Sequence, residues 1–391
     1  MTKRRIAVIT TSRADYSHLY WPLVDLQRHP QVELGVIALG AHLSPDFGNT
    51  VKEIEKDGFP IVARIECLLS SDTDLGMAKT IGLATLSLAD TLSAWQPDLM
   101  LLIADRYEML APASVALALR IPIAHIEGGE VSQGAIDDAV RNALTKLAHI
   151  HFTSTPMARQ RVISMGEEPW RVHHAGAPSL DHVLRSKLLD RNDLAETLGV
   201  SLEQPTLLVA YHPVTIHRET TSEAEALFTA LGRISGQILF VYPNSDAGSH
   251  DLIERTKVFA DAKPGTKIFV NLEPVMYWSL LKQVDVIVGN SSSGIMEAAS
   301  FALPAVNVGM RQQGRERARN VVDVAPDADA IEAAIETARS AKFRQSLDGM
   351  VNPYGDGNAA KRIVEVLTTT SLKGLLIKAP APIHDETKEQ A

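Results

Sequence analysis

Short apolar runs recur along this chain, each stopping abruptly at a polar or glycine-containing loop and each followed by a longer stretch whose apolar residues repeat at helical spacing. The runs at residues 5–10, 32–39, 61–65 and 99–103 are too short for helices and read as buried strands. Helical stretches lie between and after them, at 16–27, 46–56 and 75–95 and then up to residue 119. Alternation of this kind demands crossover helices and parallel strands, because a parallel neighbour cannot be reached by a tight turn. The clearest instance is IPIAHIEGGEVSQGAIDDAVR, residues 121–141, where a strand ends at Ile126 and a helix begins near Ala135. Its Ile136, Val140, Leu144 and Leu147 share one face. Asp137 and Asp138 complement the positive end of that helix.

The pattern continues with strands at 151–153 and 172–174 around a helix at 156–165, then pauses in a charged segment at 181–192. It resumes with strands at 207–211, 238–242, 267–270, 284–288 and 305–308, and a helix at 295–301. Helices at 329–341 and 358–368 follow, and a tail from residue 378 is expected to fray. Two βα series of this length predict an α/β chain of two doubly wound, Rossmann-like domains facing across a cleft. The boundaries expected are 1–180 and 181–357, with 358–391 as a final helix and tail.

The 391 residues suffice for two or three domains. Lys and Arg number 38 against 47 Asp and Glu, a balance of 38 − 47 = −9 that argues against broad nucleic-acid or anionic-membrane binding. A single cysteine, Cys67, excludes a disulfide framework and a cysteine-rich zinc site, and favours a reducing compartment. The basic start is followed by strong apolarity only over residues 6–9, too little for a signal peptide or membrane span, so a cytoplasmic location is expected.

Open α/β sheets bind ligands at the carboxyl ends of their strands. Asp105, Glu127, Glu130 and Asp137 all fall there, with His125 beside them. Crowded acids raise one another's pKa, which suits proton transfer; chelating Mg²⁺ or capping helices are alternatives that spacing does not separate. The lack of a dense Asp-rich loop makes a dedicated metal site the poorer reading. Arg13 and Arg106 are cations at equivalent loop positions, able together to neutralise a phosphate. In the second series, His212-Pro213 ends one strand and Gly289-Asn290-Ser291-Ser292-Ser293-Gly294 ends another, with Glu297 one turn on and Arg311 and Arg315 in a later loop. Serine hydroxyls and backbone amides at a helix start can cradle a diphosphate, or simply cap the helix.

TSRADY (11–16), DRYE (105–108), HIEGGE (125–130), IDDAVR (136–141), HPVT (212–215), GNSSSG (289–294) and YGDGNA (354–359) together resemble the hydrolysing UDP-N-acetylglucosamine 2-epimerases of sialic acid, or nonulosonic acid, biosynthesis. The resemblance runs over about residues 5–368. It implies the two-domain glycosyltransferase-B fold, a last helix crossing back to the first domain, and conversion of UDP-GlcNAc to ManNAc and UDP by elimination and water addition, with no metal or other cofactor. Asp105, Glu127, Asp137 and His212 are then the implied catalytic residues. Arg13, Ser17, Arg106, His125, Glu130, Arg141, Asn244, Ser291, Ser292, Gly294, Glu297 and Arg311 are the implied substrate-binding set. A homodimer or homotetramer is expected on the same ground. Gln133-Gly134 and Asn142 depart from the family pattern and leave the sugar open between GlcNAc and a 2,4-diacetamido relative. The nucleobase is open between UDP and GDP. A glycosyltransferase or a nucleotide-sugar sensor of the same fold would share the UDP cradle.

Overall fold

The computed structural model describes residues 3–71, 73–202, 205–243 and 245–380. Its first sheet is formed by β1 (Arg4–Thr10), β2 (Val32–Leu39), β3 (Ile61–Ile65), β4 (Leu99–Ile103), β5 (Ile123–Ile126), β6 (Ile150–Thr153) and β7 (Val172–His174). These seven strands run parallel in the order β3-β2-β1-β4-β5-β6-β7. β8 (Thr206–Ala210), β9 (Gln237–Val241), β10 (Thr266–Phe269), β11 (Val286–Gly289), β12 (Ala305–Val308) and β13 (Val321–Val324) form a second parallel sheet, ordered β10-β9-β8-β11-β12-β13. In each sheet the order reverses once, between β1 and β4 and between β8 and β11. Those switch points splay the flanking loops apart and open a crevice at the strand ends.

Both sheets have helices on both faces, so their strands are apolar almost throughout; β4 reads Leu-Met-Leu-Leu-Ile and is wholly buried. The first helix, Arg13–Arg28, begins earlier than its apolar spacing suggests because Ser12 caps it, its hydroxyl accepting from the Asp15 amide. The expected helix at 46–56 divides into a 3₁₀ turn, Pro45–Phe47, and a helix, Val51–Lys56. The one at 295–301 divides likewise into Ser293–Met296 and the 3₁₀ segment Ala298–Phe301. β13 escaped the sequence reading because it is a four-residue edge strand carrying Asp323 among its valines. The segment at 181–192, expected as a connection, contains the helix Asp181–Arg185.

The last helix, Ala359–Thr369, packs against Arg13–Arg28 and buries Ile363, Val364 and Leu367 in the core of the first sheet. Asp181 caps it, accepting from the Ala359 amide at 2.8 Å and the Ala360 amide at 3.0 Å. The chain remains anchored beyond that helix. Lys378 Nζ lies 2.6 Å from Glu167 Oε2 and donates to the Ala148 carbonyl at 2.9 Å, contrary to the fraying expected from residue 378; residues 381–391 lie outside the described chain. No described helix is long and apolar enough to cross a membrane.

Candidate active site

The loops after β1, β4 and β5 face those after β8, β11 and β12 across a cleft of about 1160 Å³, its open mouth included. Eleven of the expected residues line it: Arg13, Ser17, Asp105, Arg106, Glu127 and Asp137 from one side, and His212, Ser291, Ser292, Glu297 and Arg311 from the other.

Two strand ends on the acidic side are bent by unusual backbone. Ala104 and Glu127 have φ of 55° and 66°, left-handed values that cost a non-glycine residue of the order of 1–3 kcal/mol and persist only where packing enforces them. Asp105 follows the first of these and pairs with the buried guanidinium of Arg141. Arg141 is itself fixed from behind, donating to the Glu130 carbonyl at 2.8 Å, Asp138 Oδ1 at 2.9 Å and Ser132 Oγ at 3.0 Å. Burial pushes the Asp105 carboxyl up, but Arg141, Arg315 and Arg311 outweigh it and hold it below the ordinary range. Asp137 behaves oppositely. Burial, then repulsion from Asp105 and Asp246, pushes its pKa up to about 6. One edge of the cleft therefore holds a carboxylate kept ionised beside one that keeps its proton up to about pH 6, a separation that acid–base chemistry can use.

The nucleotide-facing side is built differently. Gly289 ends β11 at φ 140°, where a Cβ would stand 2.0 Å from the Ala210 carbonyl, so only glycine lets the serine loop close against β8. Asn290 then clamps the backbone of His212, accepting from its amide at 2.7 Å and donating to its carbonyl at 2.9 Å. Burial, with Arg311, Arg106 and Arg13 adding to it, holds the His212 ring well below the usual histidine range, hence neutral near pH 7. Arg13, Arg311 and Arg315 make no ion pair with a carboxylate among the described residues; they donate to the Val270 carbonyl, the Asn290 carbonyl and Ser132 Oγ. Their charge is open to an anion. Serine hydroxyls and three guanidinium groups with no direct carboxylate partner among the described residues suit a diphosphate.

Several expected residues stand elsewhere. Arg106 reaches the cleft, but Asp246 at 2.5 Å and Glu108 at 3.1 Å already answer its charge, so it ties the two halves together instead of waiting for a phosphate. Burial pushes its partner Glu108 up to about 7. His125 is a core histidine, its Nε2 2.7 Å from the Ala104 carbonyl, and burial holds it down at about 4. Glu130 and Arg141 sit behind the lining, the former buried and the latter acting through Asp105. Gly294 faces the second sheet, with Ala305 and Ile287 nearest. Asn244 lies outside the described residues. Of the departures from the family pattern, Gly134 abuts the second half, where a Cβ would meet the Arg311 Cα at 2.6 Å.

His18 was missed. Its Nδ1 lies 2.7 Å from Glu127 Oε1 and its Nε2 3.2 Å from Glu297 Oε1. Burial alone would lower its pKa, but the two carboxylates outweigh it and hold the ring well above the usual histidine value. The available signal was helical: Ala14, Ser17 and His18 share a face in the first turns of a helix that starts at a strand end.

The sequence pattern described as UDP-N-acetylglucosamine 2-epimerase matches residues 24–368. The chain belongs to that family. It is an epimerase with the glycosyltransferase-B architecture. The UDP-N,N'-diacetylbacillosamine 2-epimerase (hydrolyzing) of Legionella pneumophila is 37% identical to it over 376 residues, 96% of this chain and 98% of the relative. The GDP/UDP-N,N'-diacetylbacillosamine 2-epimerase (hydrolyzing) of Campylobacter jejuni is 35% identical, over 88% of this chain and 90% of its own. Among solved structures, the UDP-GlcNAc 2-epimerase of Methanocaldococcus jannaschii in complex with UDP-GlcNAc and UDP superposes with a TM-score of 0.76 at 18% identity, covering 94% of this chain and all (100%) of that one.

Proposed function

We propose that this chain is a hydrolysing 2-epimerase of UDP-linked 2-acetamido sugars, and that its own substrate is of the 2,4-diacetamido type rather than the UDP-GlcNAc suggested by the motifs alone. The observation that carries the reaction is the pairing of Asp105 and Asp137 on the same edge of the cleft, one held ionised and the other with its pKa pushed up to about 6, where it can exchange its proton. The choice of sugar rests on the two relatives named for diacetylbacillosamine nucleotides. The family's own description favours UDP-GlcNAc as the second reading.

In this reading Arg13, Arg311 and Arg315 meet the diphosphate charge, and the neutral His212 donates a hydrogen bond to the departing oxygen. The C1–O bond breaks and leaves oxocarbenium character at C1, opposite the Asp105 carboxylate. That charge acidifies the hydrogen at C2. Glu127 removes it as a proton, the C–H pair forms the C1–C2 double bond, and a glycal and UDP result. Water then adds its oxygen at C1 and releases a proton to a carboxylate, while Asp137 delivers a proton to the other face of C2. The product is the free 2-epimeric sugar, fit to feed a nonulosonic acid route.

Supporting the assignment of sugar chemistry to residues 1–180 and nucleotide binding to 181–357 is the distribution of lining residues between the sheets. Exposed Leu83, Leu86, Leu117 and Leu119 on the adjoining helices Asp74–Trp95 and Leu110–Leu119 support a homodimer or homotetramer, and the lone cysteine supports a cytoplasmic setting. Incubation with UDP-N,N'-diacetylbacillosamine and with UDP-GlcNAc separately, without acceptor, tests the proposal. The expected result is free epimerised sugar plus UDP, with kcat/KM about 10–100-fold higher for the diacetamido substrate. Preference for UDP-GlcNAc overturns the sugar assignment, and no turnover of either overturns the reaction.

A further inference from the structure

We propose that His18 is a positioning residue of this reaction: it fixes the Glu127 carboxylate and ties it across the cleft to Glu297, so the base is aligned when the two halves have met. The inference rests on the 2-epimerase reading above. Glu127 follows β5 in the first half, and Glu297 follows the serine loop of the second. One imidazole spans them, at 2.7 Å from one and 3.2 Å from the other. A ring with a carboxylate oxygen on each nitrogen must donate from both, so His18 stands as an imidazolium between two anions. Its positive charge is shared between the two carboxylates.

The geometry also divides the carboxylate oxygens by task. Glu127 Oε1 is taken by His18, leaving Oε2 for the sugar, while the Glu127 amide is pinned to the Phe152 carbonyl at 2.7 Å. Glu297 Oε1 accepts from His18 and, at 3.0 Å, from Ser179 Oγ, and the Ser293 hydroxyl also supports this carboxylate. A nucleotide held at Glu297 thus stiffens the same carboxylate that orients His18 and, through it, the base. His18 needs no contact with substrate to do this.

Kinetics of H18Q, H18N and H18A with a sugar nucleotide that the wild type turns over, together with UDP calorimetry, test the role. An asparagine amide nitrogen stands near the Nδ1 position and a glutamine one near Nε2. H18A and H18Q should lower kcat about 10–100-fold, with KM and UDP affinity within about 3-fold of wild type. H18N, which keeps a donor to Glu127, should retain kcat within about 5-fold, a rescue that a mere spacer would not give. In the E127Q background, H18Q should change kcat less than about 2-fold, because no carboxylate base remains to be aligned. Wild-type kcat in H18Q, or equal losses in all three variants, overturns the role of His18. A wild type inactive on every UDP-linked 2-acetamido sugar overturns the underlying reading instead, so the two failures are distinct.

Discussion

The two walls of the cleft treat charge in opposite ways. On the first, the charged side chains are largely answered before any ligand arrives: Asp105 by Arg141, Arg106 by Asp246, Glu127 by His18. On the second, among the described residues, Arg311 donates to a backbone carbonyl and its Nε is buried without a partner. A wall of satisfied charges is stiff and keeps reacting groups in place, which is how electrostatic preorganisation works. Unsatisfied cations store attraction for an incoming anion. The difference teaches that one wall is arranged for chemistry and the other for capture, and that substitutions should separate the two.

The largest effect should come from the stiff wall. Asp137→Asn and Glu127→Gln are expected to cut kcat by about 10²–10⁴-fold while UDP affinity stays within about 3-fold. Product formed in D₂O by the wild type should carry deuterium at C2; an epimerised but unlabelled sugar would refute the elimination. Asp105→Asn should lose comparable rate and also lower thermal stability, because it removes one of the two carboxylates paired with the buried Arg141. Asp137→Asn relieves repulsion, so its melting temperature should not fall. Equal thermal losses in both variants would erase the distinction drawn between these neighbours.

The capture wall should answer in binding. Arg311→Ala is expected to weaken UDP about 10–100-fold in calorimetry, the scale of a lost charge-assisted hydrogen bond. Unchanged UDP affinity would remove Arg311 from the site. The smallest expected effect is titration of the chemical wall itself. Asp137 keeps its proton below about pH 6 and loses it above, so as the proton donor it should make kcat/KM fall by up to about tenfold per unit on the alkaline side of that value. A profile flat from pH 5 to about 7.5 would take the donor role from Asp137.

How much of this was legible follows from how local each signal is. Strands, crossover helices and the acids at the strand ends leave marks in a few consecutive residues, and Asp105, Glu127, Asp137, Ser291 and Ser292 all reach the cleft as expected. The same rule overcounted. His125 and Glu130 lie in the same HIEGGE run as Glu127, but strand pleat and the loop's turn send His125 into the core and Glu130 behind the lining. Partnerships across the cleft were invisible. His18 with Glu297 and Arg106 with Asp246 join residues more than a hundred positions apart, and nothing in either local pattern names the other.

The return of Ala359–Thr369 to the first sheet also bears on the order in which the protein is made. The strands of the first sheet leave the ribosome early, yet the helix that packs against Arg13–Arg28 is translated after the whole second sheet. At about 5–20 residues per second, the interval between β7 and that helix is on the order of 10–40 s. During it an apolar face of the nascent first half stays uncovered. The half synthesised first is therefore the half completed last, and a chaperone that shields that face would act on the N-terminal part of the chain while the C-terminal sheet is already folding.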